Sequence, residues 1–220
     1  SSTPTGLGVA PSAAAVLRCT IPTFATARPM ATVREGSVPV LLVVDVQVGV
    51  MRDAWDVSRV IKNVSRVVGR ARAKAVPIVW VQHSDEDLAQ GSKEWQLVPE
   101  LVPERGEPLL HKHFNSCFEQ TTLEQELAAL GATHLVLAGA ATNWCIRATA
   151  YAALDRGYDV TLIGDAHTTQ SMEIGKGVKI EAALVIQELN TAMTWLSYPG
   201  RRNGTATAAE VDFGRPGAVQ

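Results

Sequence analysis

Two rhythms alternate along the middle of the chain. Val38–Asp45 (VPVLLVVD) is an almost unbroken aliphatic run ending in a carboxylate. A run apolar on both faces fits a central parallel strand. Residues Val57–Ala75 then change period: Val57, Val60, Ile61, Val64, Val67, Val68 and Ala71 mark one helical stripe, with Arg and Lys elsewhere. Pro77–Gln82 (PIVWVQ) reads as a second strand and Leu109–Lys112 as a short third. Thr122–Leu130 is helical and stops at Gly131. His134–Gly139 (HLVLAG) is the fourth strand, Thr142–Arg156 a helix stopped by Gly157, and Tyr158–Gly164 (YDVTLIG) the fifth strand. Val178–Leu189 reads as a helix and Thr191–Leu196 as a sixth strand. Strand and helix alternating in this way predict an α/β fold, an open sheet with helices on both faces.

The ends lack either rhythm. Residues 1–36 are dominated by small residues, Thr and Pro, and read as a flexible N-terminal extension. Ala13–Leu17 is too short for a signal core and is followed at once by Arg18 and Cys19. Tyr198–Gln220 carries Pro, Gly and Thr without apolar periodicity and reads as a C-terminal tail. The expected domain therefore spans residues 37–197.

Composition narrows the class. The 220 residues are 46% hydrophobic, enough for one domain with a sizeable core. The 20 Lys+Arg against 22 Asp+Glu give a net charge of −2, so neither nucleic acid nor an anionic membrane is an expected partner. No apolar run reaches the ~18–20 residues that span a bilayer. Three cysteines, Cys19, Cys117 and Cys145, make neither a disulfide framework nor a zinc ribbon, and a reducing, cytoplasmic compartment is expected.

In open α/β sheets ligands sit beyond the carboxyl ends of the strands. Strand one ends in Asp45, strand three in Lys112, and strand four in Gly139, whose following turn leads to Cys145 at a helix start. A carboxylate, an ammonium and a thiol thus fall at one edge, as nucleophile, acid–base partner and cation. A helix N-terminus favours thiolate, so Cys145 is expected to be reactive. The small residues Gly139–Asn143 let backbone N–H groups approach a developing oxyanion. Asp165 stands at the end of strand five.

The blocks LLVVDVQVGV, HKHFNSCFEQTTLEQEL and LVLAGAATNWCIRATAYAALDRGYDVTLIGDAHTT resemble the isochorismatase-like cysteine hydrolases over about Val38–Thr169. That family includes nicotinamidases, N-carbamoylsarcosine and ureidoacrylate amidohydrolases, isochorismatases and the streptothricin hydrolase branch. The resemblance implies a three-layer αβα fold whose six-stranded parallel sheet runs in the order 3-2-1-4-5-6. It implies Cys145 as nucleophile, Asp45 as general base and later acid, and Lys112 as third member. It also implies an oxyanion hole from the N–H groups of Ala141 and Cys145, with a cis bond between Ala140 and Ala141. The expected reaction is hydrolysis of an amide or lactam C–N bond in a small molecule through a thioester, with isochorismate-type vinyl-ether hydrolysis or nicotinamidase activity as alternatives. Relatives are commonly oligomers, so a homodimer or homotetramer is expected.

Neither cofactor nor metal is expected: nicotinamidases carry an Asp-x-His metal motif after strand one, none occurs here, and His83 alone does not make a site. Gln47, Trp55, Phe118, Trp144 and His167 are candidates for the substrate pocket. His111 and His113 flank Lys112 and would point to the opposite face. Cys117 reads as core filler, His134 as structural, and Asp165 as orienting the site through hydrogen bonds. The acidic run Asp85–Asp87 is either solvated loop or, if it lines the pocket, a preference for a cationic substrate.

Overall fold

The computed structural model describes residue 34 and residues 36–213. All of them fall in one unit of the chain, residues 31–220. The N-terminal extension and Cys19 lie outside the described residues, Arg34 and Gly36 apart.

Six strands form one parallel sheet: β1 (Val38–Val44), β2 (Ile78–His83), β3 (Leu109–Lys112), β4 (Ala132–Ala140), β5 (Asp159–Thr168) and β8 (Asn203–Ala206). Their order is β3-β2-β1-β4-β5-β8. A short antiparallel pair, β6 (Met172–Glu173) and β7 (Lys179–Ile180), stands apart. The helices are α1 (Val48–Met51), α2 (Val57–Ala73), α3 (Leu123–Ala129), α4 (Arg147–Asp155) and α5 (Ala182–Trp195).

Successive side chains of a strand face opposite layers, and the core divides accordingly. Leu41, Val43, Ile78, Trp80, Val136 and Ala138 face α2, whose stripe of Val60, Val64, Val67 and Ala71 covers them. Val40, Leu42, Val44, Val79, Leu135, Leu137 and Leu162 face the other way, onto Leu127 of α3, Ala150 and Leu154 of α4, and Leu189 of α5. This is the expected three-layer αβα arrangement. Strands buried on both faces explain why β1 and β4 lack polar alternation.

The sixth strand is not where the pattern placed it. Residues 191–195 continue α5, because Leu189 and Met193, four apart, both bury against the sheet. The sixth strand is β8, inside the segment read as a tail, and it pairs in parallel with β5 through Val160↔Asn203 to Ile163↔Ala206. Beyond it, Ala208, Val211 and Phe213 are buried in the α2 layer. The fold therefore extends past residue 197, to Phe213 at least.

Candidate active site

Register brings the site together before any side chain is considered. Val44 pairs with Val81 on one side and Gly139 on the other, while His83 pairs with Lys112. Asp45, His83, Lys112 and the turn after β4 therefore share one edge of the sheet. Gly139 is required there. At φ +125°, a Cβ on it would lie 1.9 Å from the Val44 carbonyl oxygen. Any side chain would force β1 and β4 apart immediately before Asp45. Asp45 itself sits at φ 50°, the left-handed region that non-glycine residues seldom adopt, as the chain turns out of β1 toward α1. The peptide bond between Ala140 and Ala141 is cis. Thr142–Ile146 then form one π-helical turn leading into α4, with Cys145 on it.

Lys112 is buried, and each of its three ammonium protons has an acceptor. Nζ lies 2.7 Å from Asp45 Oδ2. It donates to Cys145 Sγ at 3.2 Å and faces His83 Nδ1 at 3.2 Å. Asp45 and Lys112 are each 1% exposed and Cys145 7%. Charges so far out of water survive only as a pair. Burial lowers the Lys112 pKa, but Asp45, Cys145 and Cys117 together outweigh it and raise it, which favours the ammonium. Burial pushes Asp45 above the usual carboxylate range against the pull of Lys112. Asp45 is in hydrogen-bonding contact with both Lys112 and the Cys145 thiol, so the carboxylate faces the proton it would take.

The thiol differs from the expectation. Burial, and next the Asp45 charge, push Cys145 well above its ordinary value despite Lys112. Burial thus opposes the thiolate that the helix start favours, and a neighbouring base is needed to take the proton. Asn115 Oδ1 lies 3.9 Å from the sulfur. Burial pushes Cys117 up to about 12, and its backbone N–H donates to Thr149 in the core. That fits its reading as filler.

Three of the five pocket candidates lie elsewhere than expected. Gln47 is fully buried; its Nε2 donates to the carbonyls of His83 and Trp95 at 3.0 and 2.8 Å, and its Oε1 accepts from His83 N–H at 2.8 Å. No polar atom of it remains for a substrate. Phe118 is in the core, stacked on Tyr158 at 5.9 Å. His167 is buried between Thr142 Oγ1 at 2.8 Å and Asn190 Oδ1 at 2.9 Å, and burial pushes its imidazole down to about 4. It fixes the turn before Cys145 from behind. Trp55 and Trp144 are 41% and 53% exposed. Asp165 accepts Ala208 N–H at 2.7 Å and so anchors the chain beyond β8.

His111 packs at a tilt against Trp95, with ring centres 5.1 Å apart, His113 Nδ1 contacts the Ser84 carbonyl oxygen at 3.0 Å, and His134 Nε2 contacts Thr161 Oγ1 at 2.9 Å. Among the described residues, no three His, Cys, Asp or Glu side chains are arranged to hold a metal ion. Both ring nitrogens of His83 are engaged, by Lys112 and by Asp85 Oδ2 at 3.2 Å. Sequence reasoning treated His83 only as a lone metal ligand and missed its contact with Lys112. The sheet-edge rule reaches it, since it ends β2.

Fold and site together define an αβα protein with a buried Cys–Asp–Lys cluster at the carboxyl edge of its sheet. A family model for the isochorismatase domain matches residues 39–193, and the chain belongs to the isochorismatase family. It is 32% identical over 166 residues to a streptothricin hydrolase from Streptomyces noursei, across 72% of this chain and 62% of that protein. The chain thus spans less than two thirds of that relative. It is 30% identical over 182 residues to the ureidoacrylate amidohydrolase RutB of Methylobacterium radiotolerans, across 64% of this chain and 70% of that one. An isochorismatase structure from Pseudomonas putida superposes with a TM-score of 0.73 at 24% identity, over 81% and 93% of the two chains, which supports the fold.

Proposed function

We propose that the protein is a cysteine amidohydrolase that cleaves an amide or lactam C–N bond of a small molecule through a thioester on Cys145. The observation that carries this is one buried ammonium, Lys112, in contact with both a carboxylate, Asp45, and a thiol, Cys145.

Asp45 takes the Sγ proton, and the sulfur attacks the carbonyl carbon. The N–H groups of Ala141 and Cys145 hold the oxyanion. The tetrahedral species collapses, the C–N bond breaks, and the proton on Asp45 passes to the leaving nitrogen. Water then loses a proton to Asp45 and attacks the thioester; the C–S bond breaks and the sulfur recovers the proton. The same burial that raises the thiol's pKa also raises that of Asp45, so the base is strengthened along with the acid it must deprotonate. Lys112 keeps its proton and balances whichever partner is negative.

The name of the ureidoacrylate amidohydrolase relative supports an amide-type C–N bond, and that of the streptothricin hydrolase supports hydrolysis of a small molecule. A nucleophilic thiol that must stay reduced fits a cytoplasmic location. Among the described residues no helix is long and apolar enough to cross a membrane.

The test is an ammonia- and amine-release screen across nicotinamide, carbamoyl compounds and cyclic amides. The wild type releases nitrogen from at least one class. Cys145→Ala releases none, while its circular dichroism and urea midpoint match wild type. Turnover by Cys145→Ala contradicts the covalent mechanism, and pyruvate release from isochorismate in place of nitrogen release contradicts the amidase.

A further inference from the structure

We propose that His83 is a positioning residue that holds Lys112 in its working orientation, and that Asp85 fixes the tautomer of His83. The proposal rests on the amidohydrolase reading only for what Lys112 is held in place to do.

Lys112 has three N–H donors and no acceptor. Two of them point to Asp45 and Cys145, and the third points to His83 Nδ1 at 3.2 Å. An ammonium can only donate, so Nδ1 carries a lone pair and the ring proton sits on Nε2. Nε2 faces Asp85 Oδ2 at 3.2 Å, an acceptor that suits that proton. Asp85 is itself anchored, because its Oδ1 accepts the backbone N–H groups of Asp87 at 3.0 Å and Leu88 at 2.8 Å. The backbone of His83 is clamped by Gln47 at both its N–H and its carbonyl. An unbroken line of contacts runs from the loop, Asp85 to His83 to Lys112, into Asp45 and Cys145. It also bears on the acidic run: both carboxylate oxygens of Asp85 have partners within the chain, while the side chain itself stays half exposed.

A second proton on His83 would place an N–H against the Lys112 ammonium and remove the acceptor. The groups facing the ring are Lys112 from β3, Asp45 from the end of β1 and Asp85 from the loop. Burial and Lys112 disfavour the imidazolium while Asp45 and Asp85 favour it, and the balance lies below the ordinary histidine value. The neutral ring, the working form, therefore predominates at pH 7 and is lost as the pH falls through a value under 6.5.

The experiment follows Cys145 alkylation by iodoacetamide, read by mass spectrometry from pH 4.5 to 8, beside kcat and KM on the best substrate of the screen. In wild type both rates fall on the acid side. His83→Leu, which has no acceptor, lowers kcat about 10–100-fold, the loss of one hydrogen bond to a charged group, with KM little changed. His83→Asn keeps an acceptor near the Nδ1 position; it retains most of kcat and loses the acid limb that His83 causes. Asp85→Asn moves that limb to lower pH, because the imidazolium loses a stabilising charge. The proposal is overturned if His83→Leu keeps wild-type kcat and alkylation, or if neither His83→Asn nor Asp85→Asn shifts the pH profile from that of wild type; the part of the acid limb due to Asp45 itself persists in every variant. Alkylation needs no substrate, so His83 is judged even where no tested amide is hydrolysed.

Discussion

Lys112 shows how one side chain couples stability to chemistry. Removing its charge in Lys112→Met leaves Asp45 with no counter-ion in a place 1% exposed. Breaking a buried pair in this way costs about 3–5 kcal/mol. The carboxyl would rise further and hold a proton at neutral pH, so the base is lost as well. Lys112→Met is expected to lower the urea midpoint and abolish nitrogen release together; a variant with wild-type stability and turnover would remove Lys112 from the account. Asp45, Lys112 and Cys145 were legible in the sequence because strand ends are legible, and the sheet-edge rule selects residues there. Gln47, Phe118 and His167 were misread because sequence position near that edge does not say which way a side chain points. Gln47 turns back to clamp the β2 end, and His167 turns into the α5 layer. The role of Asp85 depends on a loop conformation that no periodicity encodes.

Elements were legible in proportion to how deeply they are buried. The central strands β1, β2 and β4 bury both faces and leave near-continuous apolar runs, and β5 carries the shorter run Val160–Ile163. Edge strand β8 reads Asn-Gly-Thr-Ala, with only partial burial and no apolar alternation, so its pattern is that of a loop. The stretch Thr191–Leu196 contains Thr and Trp, which favour strands. The α5 stripe nevertheless carries through Met193, and tertiary packing outweighs local propensity. A consequence lies just past β8. Phe213 is 2% exposed in the core beside α2. Phe213→Ala is expected to cost about 3–5 kcal/mol, read from the urea midpoint. A loss under about 1 kcal/mol would mean that the segment beyond residue 197 is the dispensable tail its composition suggested.

At the scale of the whole molecule, the three-layer architecture followed from the alternation of strand and helix, and a net charge of −2 carried no information about the site. Overall stability has a pH dependence that the sequence does not display. His134 and His167 are both buried neutral, with pKa values pushed down to about 4. An unfolded histidine takes its proton near pH 6.5. The unfolded state therefore gains protons first, and stability is lost as the pH falls from about 6.5 toward 4. Between pH 7 and 5 each ring is expected to withdraw about 2 kcal/mol, seen as a falling urea midpoint. His134→Asn, remote from the Cys145 cluster, should flatten that fall by about a third to a half, His83 contributing beside His167; an unchanged slope would assign the acid sensitivity to other groups. The central claim is that a thioester forms on Cys145, and the most direct measurement is intact-mass spectrometry of enzyme acid-quenched during turnover of its best amide. The account predicts an added mass equal to the acyl portion of the substrate, located on the peptide containing Cys145 and absent from Cys145→Ala. Full turnover with no adduct on Cys145 at any quench time, together with nitrogen release by Cys145→Ala, would contradict it.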